Sequence, residues 1–379
     1  MIYLDYNSTT PIDPVVLEKM LPFLKDKFAN ANSDHSFGLE CHRSVENARA
    51  QVADLIGADS TEIIFTSGAT ESINIALKGV AEYNKNGNHI ITIKTEHPAV
   101  LDSCRYLESK GINVTYLPVE RDGLINLKQL EEALRDDTIL VSIMLANNET
   151  GVLQPIKEIS NLLKSKGNIV FFSDCTQAVG KISVDVDSLG VDMICLSGHK
   201  MYGPKGVGAL YIGSKEIRNN LIPLLHGGRH EFALRSGTLN VPGIVALGQA
   251  CEQANKEMQQ NSSKIKNLRD YLEYELLKIE NTKLNGAIDR RLYNVSNICF
   301  KGVEASVLIG ILKDVAVSNG AACSSATISP SHVLKAIGLS DDQALSSIRF
   351  SLGKYNSMDE INQVLDRIKV IIRQIRNHA

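Results

Sequence analysis

Five short apolar runs in this chain are each followed at once by side chains that can do chemistry. Ile63-Ile64-Phe65 leads into Thr66-Ser67-Gly68-Ala69-Thr70-Glu71-Ser72, and the run opening at His89 leads into Thr95-Glu96-His97-Pro98. The run opening at Leu140 leads into Asn147-Asn148-Glu149-Thr150-Gly151. Phe171-Phe172 leads into Ser173-Asp174-Cys175-Thr176-Gln177, and Ile194-Cys195-Leu196 into Ser197-Gly198-His199-Lys200-Met201-Tyr202-Gly203-Pro204-Lys205-Gly206. Small residues opening a helix after a strand leave free backbone N–H groups at the positive helix end, a cradle for an anion such as phosphate. The first segment is no dinucleotide fingerprint, lacking Gly-x-Gly-x-x-Gly, and no P-loop, lacking Gly-Lys-Ser/Thr. Taken singly, each feature has a plainer reading: a glycine turn at 68, a turn or core histidine at 97, a helix N-cap at Asp174, a solvated lysine at 200. Taken together they hold what pyridoxal phosphate requires. That cofactor needs a lysine to bond its aldehyde, an acid to keep its pyridine nitrogen protonated, a phosphate cradle and a flat group against its ring. Lys200, Asp174, the turn at 68–70 and His97 are the candidates.

These side chains converge only if the apolar runs are strands of one sheet. Strand-like runs occur at 62–66, 89–93, 113–117, 140–144, 169–172 and 193–196, with helical segments such as 127–134 and 156–164 between most of them. The alternation predicts an α/β fold with a mostly parallel sheet covered by helices on both faces. Ligands of such sheets bind beyond the carboxyl ends of the strands. Leu17, Leu21, Leu24 and Phe28 are spaced as one helix face, with Pro22 inside it; Val45, Ala48, Val52 and Leu55 are spaced as another that stops at Gly57. From about residue 250 a long charged helical stretch (252–277) leads into a mixed α and β tail. The expected organisation is a large cofactor-binding domain over 16–248 and a smaller α+β domain from 1–15 and 249–379.

Hydrophobic residues make up 44% of the 379 and charged residues 22%, which excludes wholesale disorder. The net charge is −3 with no basic stripe, which argues against nucleic acid as a direct ligand. No run approaches the roughly 20 apolar residues of a membrane span, and the chain opens without a signal-peptide pattern, so the expected compartment is the cytoplasm. The seven cysteines are odd in number and include no Cys-x-x-Cys pair, which argues against a disulfide framework and a zinc knuckle; no metal is expected. Cys323 stands among small residues, Ser318-Asn319-Gly320-Ala321-Ala322-Cys323-Ser324-Ser325, that cannot pack a core and predict a mobile segment. Local sequence leaves a reactive and a structural thiol equally open there.

Further motifs extend the pattern: Tyr3-Leu4-Asp5-Tyr6 and Thr9-Thr10-Pro11 before it, then His226-Gly227-Gly228, Arg235-Ser236-Gly237-Thr238-Leu239 and Ser346-Ser347-Ile348-Arg349-Phe350-Ser351 after it. In these motifs and their order, over nearly the whole chain, the sequence resembles the cysteine desulfurases of the fold-type I aminotransferase superfamily. The resemblance implies that Lys200 bonds the cofactor, Asp174 pairs with its pyridine nitrogen, and His97 stacks on the ring and serves as an acid/base partner. It implies that Asn148 and Gln177 meet the cofactor face and its phenolic oxygen. Ala69, Thr70, Ser197 and His199 are implied at the phosphate, as is Thr238 of a neighbouring subunit, and hence a homodimer. Arg349, with Asn148, is implied to clamp the substrate carboxylate; a guanidinium fork suits that task, although a buried structural ion pair is the plainer reading of an arginine in an apolar strand.

The activity implied is conversion of L-cysteine to L-alanine, with the sulfur held as a persulfide on Cys323 and passed to an acceptor protein. Pro330-Ser331-His332-Val333-Leu334 follows the longer loop form of the branch serving iron–sulfur clusters and general sulfur supply. Two departures stand out: Asn30-Ala31-Asn32-Ser33-Asp34-His35 in place of the family's Asn-Pro-Ser-Ser-x-His, and a chain ending at Arg376-Asn377-His378-Ala379, short of the housekeeping members' scaffold-docking tail. The acceptor therefore stays open among iron–sulfur cluster assembly, tRNA thiolation and DNA phosphorothioation. The rival readings are a selenocysteine lyase or an aminotransferase, the latter having no need of Cys323, and a non-catalytic scaffold, which would be expected to lack Lys200 or Asp174.

Overall fold

The computed structural model describes residues 1–84, 87–320 and 329–377, so Cys323 lies outside the described residues. A two-residue strand β1 (Ile2–Tyr3) opens the chain. The main sheet follows: β2 (Ile63–Thr66), β3 (His89–Ile93), β4 (Asn113–Leu117), β5 (Thr138–Ser142), β6 (Val170–Asp174), β7 (Met193–Ser197) and β8 (Gly208–Ile212), in the order β2-β8-β7-β6-β5-β3-β4. From β4 to β7 all neighbours are parallel; β8 runs against both β7 and β2. Every residue of β2, β3, β5, β7 and β8 is buried, which is why these strands read as continuous apolar runs and not as alternating ones. β8 was not among the expected strands; it follows directly on the glycine-rich 203–206 stretch and reads as its continuation.

Helix Ser36–Ile56 buries Val45, Ala48, Val52 and Leu55 and ends at Gly57 in the left-handed region (φ 69°), as its spacing predicts. The face expected of Leu17, Leu21, Leu24 and Phe28 is corrected. Helix Pro14–Lys25 buries Val16 and Phe23, while Leu17, Leu21 and Leu24 are exposed and Phe28 lies beyond the helix. Periodicity announces a helix but does not say which side the core takes; Val16 and Phe23, seven residues apart, share the buried side.

A second core gathers on a three-stranded antiparallel sheet of β9 (Thr282–Leu284), β10 (Val295–Phe300) and β12 (Ser347–Ser351), while β11 (Val315–Ala316) pairs with β1. One continuous 37-residue helix, Val241–Leu277, serves both cores, giving Val241 to the first and Leu268, Leu272 and Leu276 to the second. We propose a large and a small unit on these two cores; the expected division at 248/249 falls within the helix that they share.

Arg49 and Glu231, 4% and 6% exposed, form a bidentate pair at 2.7 and 2.8 Å. The same carboxylate accepts Phe65 N, and the guanidinium donates to Ile63 O, so the pair bolts the 226–238 loop to β2. Glu231, Phe232 and Ala233 all have positive φ (45°, 57° and 66°), a strained path for non-glycine residues that this bolt holds in place. Arg49→Ala is expected to destabilise the fold by about 3–5 kcal/mol, because it strands a buried carboxylate; thermal or urea unfolding measures the loss.

Candidate active site

The residues that follow β2, β3, β5, β6 and β7 line one cavity of about 1320 Å³. Ala69, Thr70, His97, Asn148, Asp174, Gln177, Ser197, His199, Lys200 and Arg349 are all on its wall. Thr238 is not among its lining residues. Both described flanks of the Cys323 segment, 317–320 and 329–332, also line the cavity.

Gly68 (φ 149°) begins helix Ala69–Tyr83 with no side-chain cap, which leaves first-turn N–H groups for a ligand. A Cβ on Gly68 would sit in ordinary contact with Ser197 Oγ, 3.7 Å away. Beneath it the packing is tight: a Cβ on Gly208 would lie 2.7 Å from Gly68 Cα, so this cradle rests directly on β8. Glu71, in the first turn, accepts Ser67 N at 2.6 Å and pairs with Arg235 at 2.9 Å.

Lys200 sits in a single turn after β7 and donates from Nζ to Asn7 O (2.7 Å) and Ser8 O (2.6 Å). Burial, with help from the Arg349 charge, lowers its pKa to about 8, against the opposing pull of Asp174 and Asp5. Asp174 ends β6; its Oδ1 accepts Thr176 N (2.9 Å) and the Cys195 thiol (3.3 Å). His97 caps helix Pro98–Glu108, with Nδ1 accepting Ala99 N at 3.1 Å, which places the proton of the neutral ring on Nε2. Burial lowers the His97 pKa, and it carries that of His199 down to about 4.

Arg349, on β12, donates to Asp5 Oδ1 (2.7 Å), Ser8 Oγ (2.7 Å) and Asn148 O (2.9 Å). Its ion pair with Asp5 meets the plainer reading of a buried arginine, yet Nε is buried with no partner, as is Asn148 Oδ1. Unsatisfied buried polar atoms on a cavity wall are what a polar ligand would complete. With an uncapped helix start, an amine whose pKa is lowered to about 8, a carboxyl group and a neutral imidazole, the donor set fits pyridoxal phosphate. Among the described residues, no group of three His, Cys, Asp or Glu side chains could hold a metal ion.

Several residues on or beside this wall escaped sequence reasoning. Asn7, Asp5 and Ser8 fix Lys200 and Arg349 from the other end of the chain, where no spacing could reveal them. Glu149 is fully buried, its pKa pushed up to about 7 by burial, and it accepts Ser331 Oγ at 2.6 Å. Lys181 lies behind Gln177, to which its Nζ donates, and no motif marks it in the sequence.

The family model for aminotransferase class V matches residues 2–364. The chain is 50% identical to the cysteine desulfurase IscS of Pectobacterium carotovorum subsp. carotovorum (strain PC1), over 99% of this chain and 94% of that one. Its fold is similar to the solved structure of a NifS-like protein (TM-score 0.92, 39% identity, 98% of this chain and 99% of that one). It is also similar to that of SspA in complex with cysteine (TM-score 0.82, 38% identity, 94% and 100%).

Because burial favours the neutral amine, Lys200 should gain nucleophilicity as pH rises through about 8. Acylation of the cofactor-free protein with an amine reagent, mapped by peptide mass spectrometry across pH, should show that midpoint at Lys200 and not the roughly 10.4 of a free lysine.

Proposed function

The chain belongs to the cysteine desulfurases of the aminotransferase class-V family, and from that premise we propose that it converts L-cysteine to L-alanine with pyridoxal 5'-phosphate as cofactor and passes the sulfur to Cys323 as a persulfide. The observation that carries this reading is the meeting of Lys200, Asp174 and the uncapped start of helix Ala69–Tyr83 in one cavity that Arg349 also lines. When bound, pyridoxal phosphate bonds to a lysine through its aldehyde and accepts the electron pair released at the substrate Cα.

The chain's own groups divide the remaining work. The N–H groups at 69 and 70, with Ser197 and His199, hold the phosphate, and Asp174 faces the pyridine nitrogen. Lys200, its pKa lowered to about 8, takes the Cα proton in its neutral amine form, which burial favours. Arg349 and Asn148 orient the substrate carboxylate, and the Nε2–H of His97 supplies a proton to a later step. Cys323 attacks as the thiolate, the competent form. Its sulfur bonds to the substrate sulfur as the substrate C–S bond breaks; the electron pair of that bond stays with the carbon skeleton, which is protonated to alanine. The sum is L-cysteine plus Cys323–SH giving L-alanine plus Cys323–S–SH.

The family's action on cysteine, and the cysteine bound to the similar SspA structure, support the substrate. The acceptor belongs to iron–sulfur cluster assembly, tRNA thiolation or DNA phosphorothioation. Thr238, which does not line the cavity of its own chain, suits a contact to the phosphate of a second copy, and we place the homodimer in the cytoplasm; no described helix is long and apolar enough to cross a membrane.

Purified protein given L-cysteine and a reductant should yield alanine and sulfide in equal amounts; no alanine from protein carrying the cofactor would sink the reading. Cys323→Ala should keep the absorbance change on adding L-cysteine but carry no transferable sulfur, and persisting persulfide would remove Cys323 from its role. Arg349→Ala should raise KM for L-cysteine by about 100-fold, the loss of a charged hydrogen-bonded clamp, and steady-state kinetics reads it.

A further inference from the structure

Lys181 is 7% exposed and stands four residues beyond Gln177. Its Nζ donates to Gln177 Oε1 at 2.9 Å and to Gln177 O at 3.0 Å, and among the described residues it forms no ion pair. A buried ammonium without a counter-charge is unfavourable. Burial, with the nearby charges of Lys200 and Arg349, lowers the Lys181 pKa to about 7. A neutral amine has two N–H donors, and Gln177 offers two acceptors; an ammonium would leave its third donor unmatched.

The other end of the Gln177 amide is fixed as well. Nε2 donates to Asn7 O at 2.9 Å, the same carbonyl that accepts Lys200 Nζ at 2.7 Å. Reversing the amide would set Oε1 against the Asn7 carbonyl and would cost Lys181 its donation to Oε1, leaving only the amine lone pair to meet Nε2. The oxygen end is therefore committed to Lys181, and only the nitrogen end retains a hydrogen for a ligand in the cavity that Gln177 lines.

We propose that Lys181 is a positioning residue that locks Gln177 as a hydrogen-bond donor toward the cavity, so that the phenolic oxygen of pyridoxal phosphate meets an amide N–H and never its C=O. The inference rests on the reading that this cofactor binds in the cavity. An apolar side chain in place of Lys181 would fill the space behind Gln177 but would leave the direction of its amide to the Asn7 carbonyl alone.

The test is a double-mutant cycle on the full-length protein, stripped of cofactor and titrated with pyridoxal 5'-phosphate, with Kd and the pH midpoint of the bound-cofactor absorbance as readouts. Lys181→Met and Gln177→Ala should each raise Kd by about tenfold, and the double variant by no more than either single one, because the lysine acts through the glutamine. Both singles should move the absorbance midpoint in the same direction. Lys181→Gln, which keeps a donor, should stay within about threefold; Lys181→Leu, expected to lose about tenfold, replaces the Met variant if that one fails to fold by circular dichroism. Losses that multiply in the double variant, or unaltered binding by Lys181→Met, would overturn the inference. Failure of the unaltered protein to take up pyridoxal phosphate would instead overturn the cofactor reading, and this inference with it.

Discussion

Asn7 holds the site together. It is 1% exposed and uses both its backbone and its side chain. Its carbonyl accepts from Lys200 and Gln177, and its side chain donates to Asn148 O and accepts from Asn294. Its N–H donates to Ser351 Oγ. Lys200, Gln177 and Asn148 follow strands of the large sheet, whereas Ser351 belongs to the small one and Asn294 leads directly into it. The amino-terminal segment thus runs through the joint between the two cores and fixes the catalytic candidates of one against the substrate-side wall of the other. Neighbouring bonds repeat the arrangement: Thr10 N donates to His199 O, Ser351 N to Leu4 O, and Arg349 reaches Asp5, Ser8 and Asn148 at once. A cavity at such a joint can be polar inside and still surrounded by packed apolar layers.

That placement gives one physical cause for the titration behaviour of the site. Lys200, His97, His199 and Lys181 all have lowered pKa values, and burial is the largest contribution for each. Removing water disfavours the charged form of a base. Positive neighbours, Arg349 among them, add to the effect for both lysines. The result is a set of bases that are neutral, or partly so, near pH 7. The role proposed for Lys200 needs that condition. The buried carboxyl of Glu149 moves the other way for the same reason, to about 7.

The anion cradle shows a different economy of design. Its backbone N–H groups need no charged side chain, but they must be held still. Glu71 and Arg235 brace one side, and the Arg49–Glu231 pair braces the strand that leads into it. Both braces come from the 226–238 loop, whose left-handed residues are stable only under that restraint. The loop that carries Thr238 is therefore tied to the cradle of its own chain by two ion pairs.

The resemblance to the cysteine desulfurases supplied Asn148, Gln177, Ser197, His199 and Arg349 as site residues; the sequence by itself determined six of the seven strands of the large sheet and brought the side chains after five of them to one cavity. It could do so because a strand buried on both faces must be continuously apolar, and because a parallel sheet gathers the residues after its strands at one edge. It also identified helix Ser36–Ile56 down to its terminal glycine. The buried side of helix Pro14–Lys25, the strand β8 and the roles of Asn7, Asp5 and Lys181 were decided only by tertiary structure. Each depends on a partner far along the chain: Asn7 lies 193 residues from Lys200, and Asp5 lies 344 from Arg349. Local sequence sets propensity and period. Which polar atom meets which across two cores is settled by packing, because only there does leaving a donor unmatched become unfavourable enough to select one arrangement.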